Sequence, residues 1–270
     1  KELHYFGGSN VRSTPHVTLD EYLSHFKNAS SHHTYIGEAS PWYLYSKEAA
    51  KNIKEFNPNA KLIIILRDPV DFISSYHQQM LNIGHETISN IEDAIIASDE
   101  RAKGKNIPKR AHTPDRLLYK SVASYLNGVR YYTDRFSENQ LLFLKYEDLL
   151  ENQNIFFHHI YDFLDIKKVN HHKVKKVNSR SKVNSNLIQN MVYTIHDILK
   201  LTGINNITPR GLGKKINDLN KKRIVKEEIN EHERNHLLNL LDYNIEEVVL
   251  LEKLTGLNLS YWPSYKLKHT

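Results

Sequence analysis

Arg67 and Ser75 are the two side chains whose types and spacing point most clearly to chemistry. Arg67 follows the apolar run at residues 61–66, and Ser75 lies eight residues later. A guanidinium offers a phosphate two charge-assisted hydrogen bonds through its planar fork, and a nearby hydroxyl can donate another. Each hydrogen bond to a charged group contributes roughly 1.5–3 kcal/mol. The pair therefore predicts a phosphate site, although an arginine that caps a helix and forms an ion pair fits the same residues.

The elements around this pair decide whether the two side chains can meet. Residues 61–66 are almost continuously apolar and β-branched, which predicts a central parallel strand buried on both faces. A helix follows at once, with Asp68 as its N-cap and Pro69 at its first position. Ligands of open parallel sheets bind beyond the carboxyl ends of the strands. Because a tight turn joins the strand end to the early helix, we expect Arg67 and Ser75 to converge on one phosphate.

The rest of the sequence alternates helical and strand patterns. Apolar residues at helical spacing predict helices, and short β-branched or apolar runs predict strands. The predicted helices cover residues 17–30, 47–56, 116–135 and 156–164, with a capping box from Thr18 to Glu21; the further strands cover 34–37 and 140–145, and the remainder is mainly helical. Such alternation is typical of an α/β fold with a parallel sheet. Since no Pro/Gly/Ser-rich linker divides the chain, we predict a single domain over residues 1–270.

The composition excludes several kinds of site. The chain has no cysteine, which rules out disulfides, cysteine nucleophiles and cysteine-bound zinc. This favours a reducing compartment, so we expect a cytoplasmic protein rather than one of the Golgi lumen. A net charge of +6 suits an anionic ligand. The lysine-rich stretches lack the context of a nucleic-acid motif, and no apolar run could span a membrane, so we expect no nucleic-acid partner and no membrane span.

Five stretches of the chain form an ordered set of motifs. They are Lys1-Glu-Leu-His-Tyr-Phe6, Gly37-Glu-Ala-Ser-Pro-Trp-Tyr43, Arg67-Asp-Pro-Val-Asp-Phe-Ile-Ser-Ser75, Leu142-Phe-Leu-Lys-Tyr-Glu-Asp-Leu149 and the stretch from Leu254 to Trp262. Together they resemble the PAPS-dependent sulfotransferase superfamily, in particular its bacterial and heparan-sulfate branch. The third stretch is similar to the segment with which that family binds a 3′-phosphate. The resemblance implies a three-layer α/β fold related to the P-loop NTPases, with a central parallel sheet and a mainly helical C-terminal part.

The resemblance also implies roles for individual residues. Arg67 and Ser75 would hold the 3′-phosphate of the donor, 3′-phosphoadenosine-5′-phosphosulfate (PAPS). After the sulfuryl group is transferred, the rest of the donor leaves as 3′,5′-ADP (PAP). Glu2 would be the catalytic base that takes the proton from a hydroxyl or amine acceptor. Lys214 and Lys215, in a Gly/Lys loop at residues 211–215, would contact the phosphosulfate. No metal is implied, and the acceptor stays open between a saccharide and another small molecule.

The family's phosphosulfate loop is missing from the match. The family binds the 5′-phosphosulfate with a P-loop-like turn that carries a catalytic lysine, and none of the 10 glycines marks such a turn. Because the match begins at Lys1, we expect that loop to lie upstream, and we expect the chain as given to bind the donor poorly. Ala39 stands where animal heparan-sulfate enzymes carry a lysine, and Phe72 stands where they often carry an arginine. The glycosaminoglycan substrate of those enzymes is therefore not carried over.

Three other interpretations compete with this one. His232-Glu233-Arg-Asn-His236 matches a zinc metalloprotease pattern, in which two histidines one helical turn apart bind the metal, but its surroundings are densely polar. A P-loop-like nucleotide-dependent phosphotransferase would also need its phosphate loop upstream, and it would need Mg²⁺. A non-catalytic binding module fits a chain without that loop. Zinc content tests the first alternative, and dependence on Mg²⁺ tests the second.

Overall fold

The structure, a computed structural model, describes residues 2–8, 17–169, 181–183, 221–223 and 229–269. Its helices and strands in chain order are α1 (Leu19–Ser24), α2 (Lys47–Phe56), β1 (Leu62–Leu66), α3 (Pro69–Asn82), α4 (Ile91–Ile96), α5 (Ser98–Arg101), α6 (Tyr119–Ala123), α7 (Leu126–Thr133), β2 (Leu141–Lys145), α8 (Tyr146–Glu151), α9 (Gln153–Leu164), β3 (Ser181–Val183), β4 (Lys221–Arg223), α10 (Glu231–Leu240), α11 (Ile245–Thr255) and α12 (Pro263–His269). Short 3₁₀ helices cover Pro41–Tyr45, Pro114–Leu117 and Glu138–Gln140. The strands β1 and β2 are preceded, connected and followed by helices.

The chain divides into two compact units, each assembled from separated stretches of sequence. The first unit contains Lys1–Pro69, Ser121–Val174 and Asp242–Thr270. The second contains Val70–Lys120 and Lys175–Leu241. The single domain expected over residues 1–270 stays a prediction.

The parallel pair of strands β1 and β2 lies in the first unit. Leu62 pairs with Leu141, and the register continues in step to Leu66 and Lys145 at the carboxyl ends. Two parallel strands need a crossover connection, and here α3 to α7 occupy the sequence between them. The predicted strands at residues 61–66 and 140–145 are therefore confirmed.

The two faces of β1 differ in burial. Leu66 is fully buried, whereas Ile63 is 38% exposed and Ile65 is 46% exposed. Side chains alternate between the faces of a strand, so Ile63 and Ile65 share one face. The prediction of burial on both faces is wrong for the described residues, because an apolar sequence does not specify which elements cover each face.

The core of the first unit forms around α2 and aromatic residues. Its buried members are Phe6, Tyr22, Tyr43, Ala49, Ala50, Ile53, Tyr132 and Phe136. The Tyr132 hydroxyl donates to the carbonyl of Tyr43 at 2.7 Å, which ties α7 to the 3₁₀ helix at Pro41–Tyr45. The predicted helix at 47–56 is confirmed at both ends, since Ser46 accepts from the N–H of Ala49 at 3.0 Å and Asn57 ends the helix.

Two predicted elements near the N-terminus differ from the structure. Thr18 caps α1 by accepting from the N–H of Glu21, as predicted, but α1 ends at Ser24 rather than near residue 30. Residues 34–37 carry no strand, and Tyr35 and Ile36 are exposed. A strand exists only with a hydrogen-bonded neighbour, and a short apolar run that ends in glycine does not provide one by itself.

The predicted helix at residues 116–135 is wrong in its continuity. The segment is divided into the 3₁₀ helix at Pro114–Leu117 and the helices α6 and α7. The N–H of Tyr119 donates to the Ser98 hydroxyl at 3.0 Å instead of to a carbonyl one turn back. This contact between residues distant in sequence interrupts the helix, and helical periodicity alone does not reveal it.

The second unit contains a buried ion pair between Arg101 and Glu86. Arg101 donates to both carboxylate oxygens of Glu86, at 2.7 and 2.8 Å, and neither side chain is exposed. The Tyr119 hydroxyl and the N–H groups of Thr87 and Ile88 also donate to Glu86. Burial alone raises the pKa of Glu86, but the hydrogen bonds and charge of Arg101 outweigh it and lower that pKa below its ordinary value. The network fixes the loop after α3.

The remaining elements complete the described chain. α10 packs on α4 in the second unit, and β3 pairs with β4 in an antiparallel ladder. Within the described ranges, no helix combines the length and apolarity that crossing a bilayer requires.

Candidate active site

Arg67 stands at the carboxyl end of β1, beside the start of α8. Leu66 pairs with Lys145 at the end of the two strands. Arg67 is therefore the first residue after β1, and Tyr146 is the first residue after β2. The guanidinium carbon of Arg67 lies 4.9 Å from the centre of the Tyr146 ring. This distance is typical of a cation–π interaction, and the contact restricts the position of the half-buried arginine side chain.

The residue after Arg67 is held by a carboxylate from the neighbouring strand end. The N–H of Asp68 donates to Oε1 of Glu147 at 3.0 Å. The indole Nε1 of Trp262 donates to Oε2 of the same carboxylate, also at 3.0 Å. Glu147 therefore joins the turn after β1 to the C-terminal segment.

Asp68 adds a second carboxylate to this arrangement. It is fully buried, and its two oxygens accept from the N–H of Ser264 at 2.9 Å and from the Ser264 hydroxyl at 3.0 Å. A buried carboxylate is stable only when donors satisfy its oxygens, and Ser264 supplies them. The turn that carries Arg67 is thus fixed on two sides.

Tyr125 lies in the same electrostatic environment. Burial is the largest cause of its raised pKa, and the charges of Asp68 and Glu147 raise it further, while Arg67 acts in the opposite direction. Tyr125 therefore stays a neutral phenol next to the charged residues of the turn.

Ser75 lies in the second turn of α3 and belongs to the second unit, whereas Arg67 belongs to the first. Its hydroxyl donates to the carbonyl of Asp71 at 3.0 Å, one helical turn back. The adjacent Ser74 makes the equivalent bond to Val70 at 2.8 Å. Both serines are half-buried, so they form a matched pair for mutation.

Glu2 is anchored rather than frayed. Its N–H donates to the carbonyl of Ala39 at 3.0 Å, and its backbone has a φ of 57°. Its carboxylate lies 4.0 Å from Nε2 of His4, and its side chain is 46% exposed. The segment around Glu2 is tied to the Glu38–Tyr43 stretch, because the N–H groups of His4 and Phe6 donate to the hydroxyls of Ser40 and Tyr43. Lys214 and Lys215, the other predicted ligands, lie outside the described residues.

The residues of the zinc-protease pattern have other roles in the structure. Glu233 forms a capping box with Asn230 at the start of α10, and His236 contacts Glu92 at 3.3 Å. Arg234, between them in sequence, is buried and lies 3.5 Å from Asp71. Among the described residues, no group of three or more His, Asp or Glu side chains is arranged to hold a metal ion.

Tyr146, Glu147 and Trp262 are residues of the site that the sequence did not identify as such. All three occur in the motifs that carry the family resemblance, at residues 142–149 and 254–262. Their contacts with Arg67 and Asp68 depend on the register of β1 against β2. The motif signals that these residues matter, but only the register shows what they touch.

Comparison with known proteins identifies a family, and two relatives illustrate the similarity. The family model described as "Sulfotransferase domain" matches residues 40–238. The bifunctional heparan sulfate N-deacetylase/N-sulfotransferase 1 of Caenorhabditis elegans is 25% identical over 154 residues, which is 55% of this chain and 16% of that protein. A membrane-associated sulfotransferase of Dictyostelium discoideum is 35% identical over 80 residues, 28% of this chain and again 16% of that protein. The chain thus matches only a small part of each relative's length.

A solved structure shares the fold. The crystal structure of a sulfotransferase from Alicyclobacillus acidocaldarius superposes with a TM-score of 0.65, covering 97% of this chain and 85% of that one. The two sequences are 18% identical, so the likeness concerns the fold alone. It confirms the predicted α/β class with a parallel sheet and a P-loop-like architecture.

Proposed function

This chain belongs to the sulfotransferase domain family, and we propose that it transfers a sulfuryl group from PAPS to a hydroxyl or amine of its acceptor. The observation that carries the proposal is the position of Arg67, half-buried at the carboxyl end of β1 with its guanidinium over the Tyr146 ring. Ligands of parallel sheets bind beyond the carboxyl ends of the strands. A fixed guanidinium at that edge suits an anionic ligand.

Arg67 and Ser75 would hold the 3′-phosphate of the donor. The contact with Tyr146 places the guanidinium over an aromatic ring, and a guanidinium carries five N–H donors, two of which can pair with one phosphate. The Ser75 hydroxyl would rotate away from the Asp71 carbonyl to donate to a phosphate oxygen. That exchange is favourable, because a hydrogen bond to a charged group contributes about 1.5–3 kcal/mol and one between neutral groups about 0.5–1.5 kcal/mol.

Glu2, Lys214 and Lys215 would act on the reacting groups. The donor supplies a sulfuryl group bonded to a phosphate that departs as part of 3′,5′-ADP. Glu2 would accept the proton that the acceptor loses as its oxygen or nitrogen bonds to sulfur. Its backbone bond to Ala39 would hold the carboxylate in place. Lys214 and Lys215 would neutralise the charge that develops on the leaving phosphate.

A saccharide amine or hydroxyl is the first acceptor to test. The Caenorhabditis elegans relative is named as a heparan sulfate N-sulfotransferase, which supports an amino sugar as a candidate. The donor and the acceptor are separate parts of the proposal, and an experiment can separate them.

The experiment uses full-length protein, PAPS labelled with radioactive sulfur, and a heparin oligosaccharide with free amino groups. We expect transfer of label that persists in EDTA, and a loss of about tenfold or more in Arg67→Ala. Arg130→Ala, which removes an exposed arginine on α7, is the matched control and should keep full activity. No transfer to the sugar, with Arg67-dependent binding of 3′,5′-ADP retained, would reject only the saccharide. Phosphate transfer from ATP that requires Mg²⁺ would assign a phosphotransferase instead.

A further inference from the structure

We propose that Glu147 is a positioning residue that fixes the phosphate-binding conformation of Arg67, and that Trp262 holds Glu147 in place. The inference rests on the proposed function, because it concerns the arginine assigned there to the 3′-phosphate. It adds a role for a carboxylate on the neighbouring strand end.

The register of the strands brings Glu147 to the turn after β1. The ladder ends at the pair Leu66 and Lys145, so Arg67 and Asp68 follow β1 at the same edge where Tyr146 and Glu147 follow β2. Two contacts join these segments. The guanidinium carbon of Arg67 lies 4.9 Å from the centre of the Tyr146 ring, and the Asp68 N–H donates to Oε1 of Glu147 at 3.0 Å. The second contact fixes the peptide group that follows Arg67, and thereby the direction in which Arg67 leaves the strand.

The carboxylate of Glu147 has a donor for each oxygen. Oε1 accepts from Asp68 and Oε2 accepts from Trp262, whose side chain is 1% exposed. The two donors face different oxygens of Glu147, and in glutamine one of these positions becomes an NH₂ group that cannot accept. The N–H at that position would face a donor, and leaving a buried donor without an acceptor is costly. Glu147→Gln therefore disturbs the turn while it preserves the volume of the side chain.

Asp68 and Ser264 give the turn a second set of contacts. Both are fully buried, and the N–H and hydroxyl of Ser264 donate to the Asp68 carboxylate. The turn therefore keeps a framework when Glu147 is changed. We expect the Glu147→Gln variant to fold. The change should disorder the side-chain conformation of Arg67 without disrupting the rest of the site.

A positioning role and a merely structural role predict different ligand dependence. If Glu147 acts through Arg67, its loss weakens only ligands that carry the 3′-phosphate. If Glu147 only stabilises the fold, its loss weakens all nucleotides alike. The nucleotides 3′,5′-ADP and 5′-AMP differ by that one phosphate, so together they separate the two roles.

The test is calorimetric titration of full-length protein with 3′,5′-ADP and with 5′-AMP. We expect Glu147→Gln to weaken 3′,5′-ADP about tenfold and 5′-AMP less than about twofold. Glu151→Gln makes the same chemical change at an exposed position of α8 and should alter neither affinity. Trp262→Phe keeps an aromatic ring and removes the donor to Glu147, so it should weaken 3′,5′-ADP in the same selective way.

The double variant Arg67→Ala/Glu147→Gln completes the test. If Glu147 acts through Arg67, adding Glu147→Gln to Arg67→Ala brings no further loss of 3′,5′-ADP affinity. Equal losses for both nucleotides, or losses that add in the double variant, overturn the positioning role and leave the proposed function intact. A wild-type protein that binds the two nucleotides equally overturns the proposed function, and the positioning role with it.

Discussion

The guanidinium carbon of Arg67 lies over the ring of Tyr146, 4.9 Å from its centre, at the ends of two paired strands. One residue comes from the turn after β1 and the other opens α8 after β2. This cation–π contact restricts the long, flexible Arg67 side chain before a ligand arrives, and a restricted side chain loses less entropy on binding. The arrangement suits an arginine that receives a phosphate.

Replacing Tyr146 by leucine tests the cation–π contact between this ring and Arg67. The change removes the π-face and keeps an apolar side chain, so we expect 3′,5′-ADP affinity to fall about two- to fivefold, in line with a cation–π contribution of about 0.5–1 kcal/mol. Tyr261→Leu is the matched control, because Tyr261 also stacks with a cation, Lys145, but is 68% exposed. Calorimetry on both variants measures the effect. Equal affinities for the two variants would show that the Tyr146 ring does not prepare Arg67.

Ser75→Ala tests the hydroxyl that is proposed to bind the 3′-phosphate. We expect 3′,5′-ADP to bind about tenfold more weakly, because the phosphate loses one charge-assisted hydrogen bond. Ser74→Ala removes an equivalent hydroxyl, bonded to the carbonyl one turn back in the same helix, and should leave the affinity unchanged. If the two alanine variants bind the nucleotide equally, Ser75 has no role in the site.

Local sequence signals predicted the elements that carry the site. The β-branched run at β1 and the helical spacing over residues 47–56 act on nearby residues only, and β1 and α2 formed where these signals indicated. The break before Tyr119 was not predictable, because it depends on Ser98, a partner distant in sequence. Likewise, the motif at residues 142–149 indicated importance, but the contact of Glu147 with Asp68 follows from strand register. Signals that act through space become readable only once the fold is known.

Glu86→Gln should destabilise the protein in a pH-dependent manner. Breaking a buried ion pair by removing one partner costs about 3–5 kcal/mol of the free energy of unfolding. The folded-state pKa of Glu86 lies below its ordinary value of 4.5, so the unfolded chain takes up the proton first as the pH falls. The stabilisation is therefore present above about pH 4.5 and is lost as the pH falls through the folded-state pKa.

Urea denaturation across this pH range measures the effect of Glu86→Gln. The difference between wild type and variant should shrink as the pH falls below 4.5. Glu100→Gln, at an exposed position of α5, should follow the wild-type profile at every pH. A constant difference between Glu86→Gln and wild type would mean that the carboxylate charge does not contribute. If Glu86→Gln does not fold, Tyr119→Phe removes one donor to Glu86 and should cost about 1 kcal/mol.

Gly128→Ala tests the approach of α7 to the 3₁₀ helix at Pro41–Tyr45. A Cβ at Gly128 would lie 2.5 Å from the Leu44 carbonyl oxygen, a backbone atom that cannot move alone. We expect a loss of about 1–3 kcal/mol in the free energy of unfolding, measured by thermal denaturation. Gly37→Ala places a Cβ where no atom lies within 4 Å and should change stability little. Equal stability of the two variants would contradict the close approach.

The most direct measurement of the central claim is the affinity of full-length Arg67→Ala for 3′,5′-ADP and for 5′-AMP, with Arg130→Ala as control. Wild type and the control should bind 3′,5′-ADP at least about tenfold more tightly than 5′-AMP, since the guanidinium is proposed to contact only the extra phosphate. Arg67→Ala should remove that preference and leave 5′-AMP binding unchanged. A preference for 3′,5′-ADP that survives in Arg67→Ala would contradict the assignment of Arg67 to the 3′-phosphate.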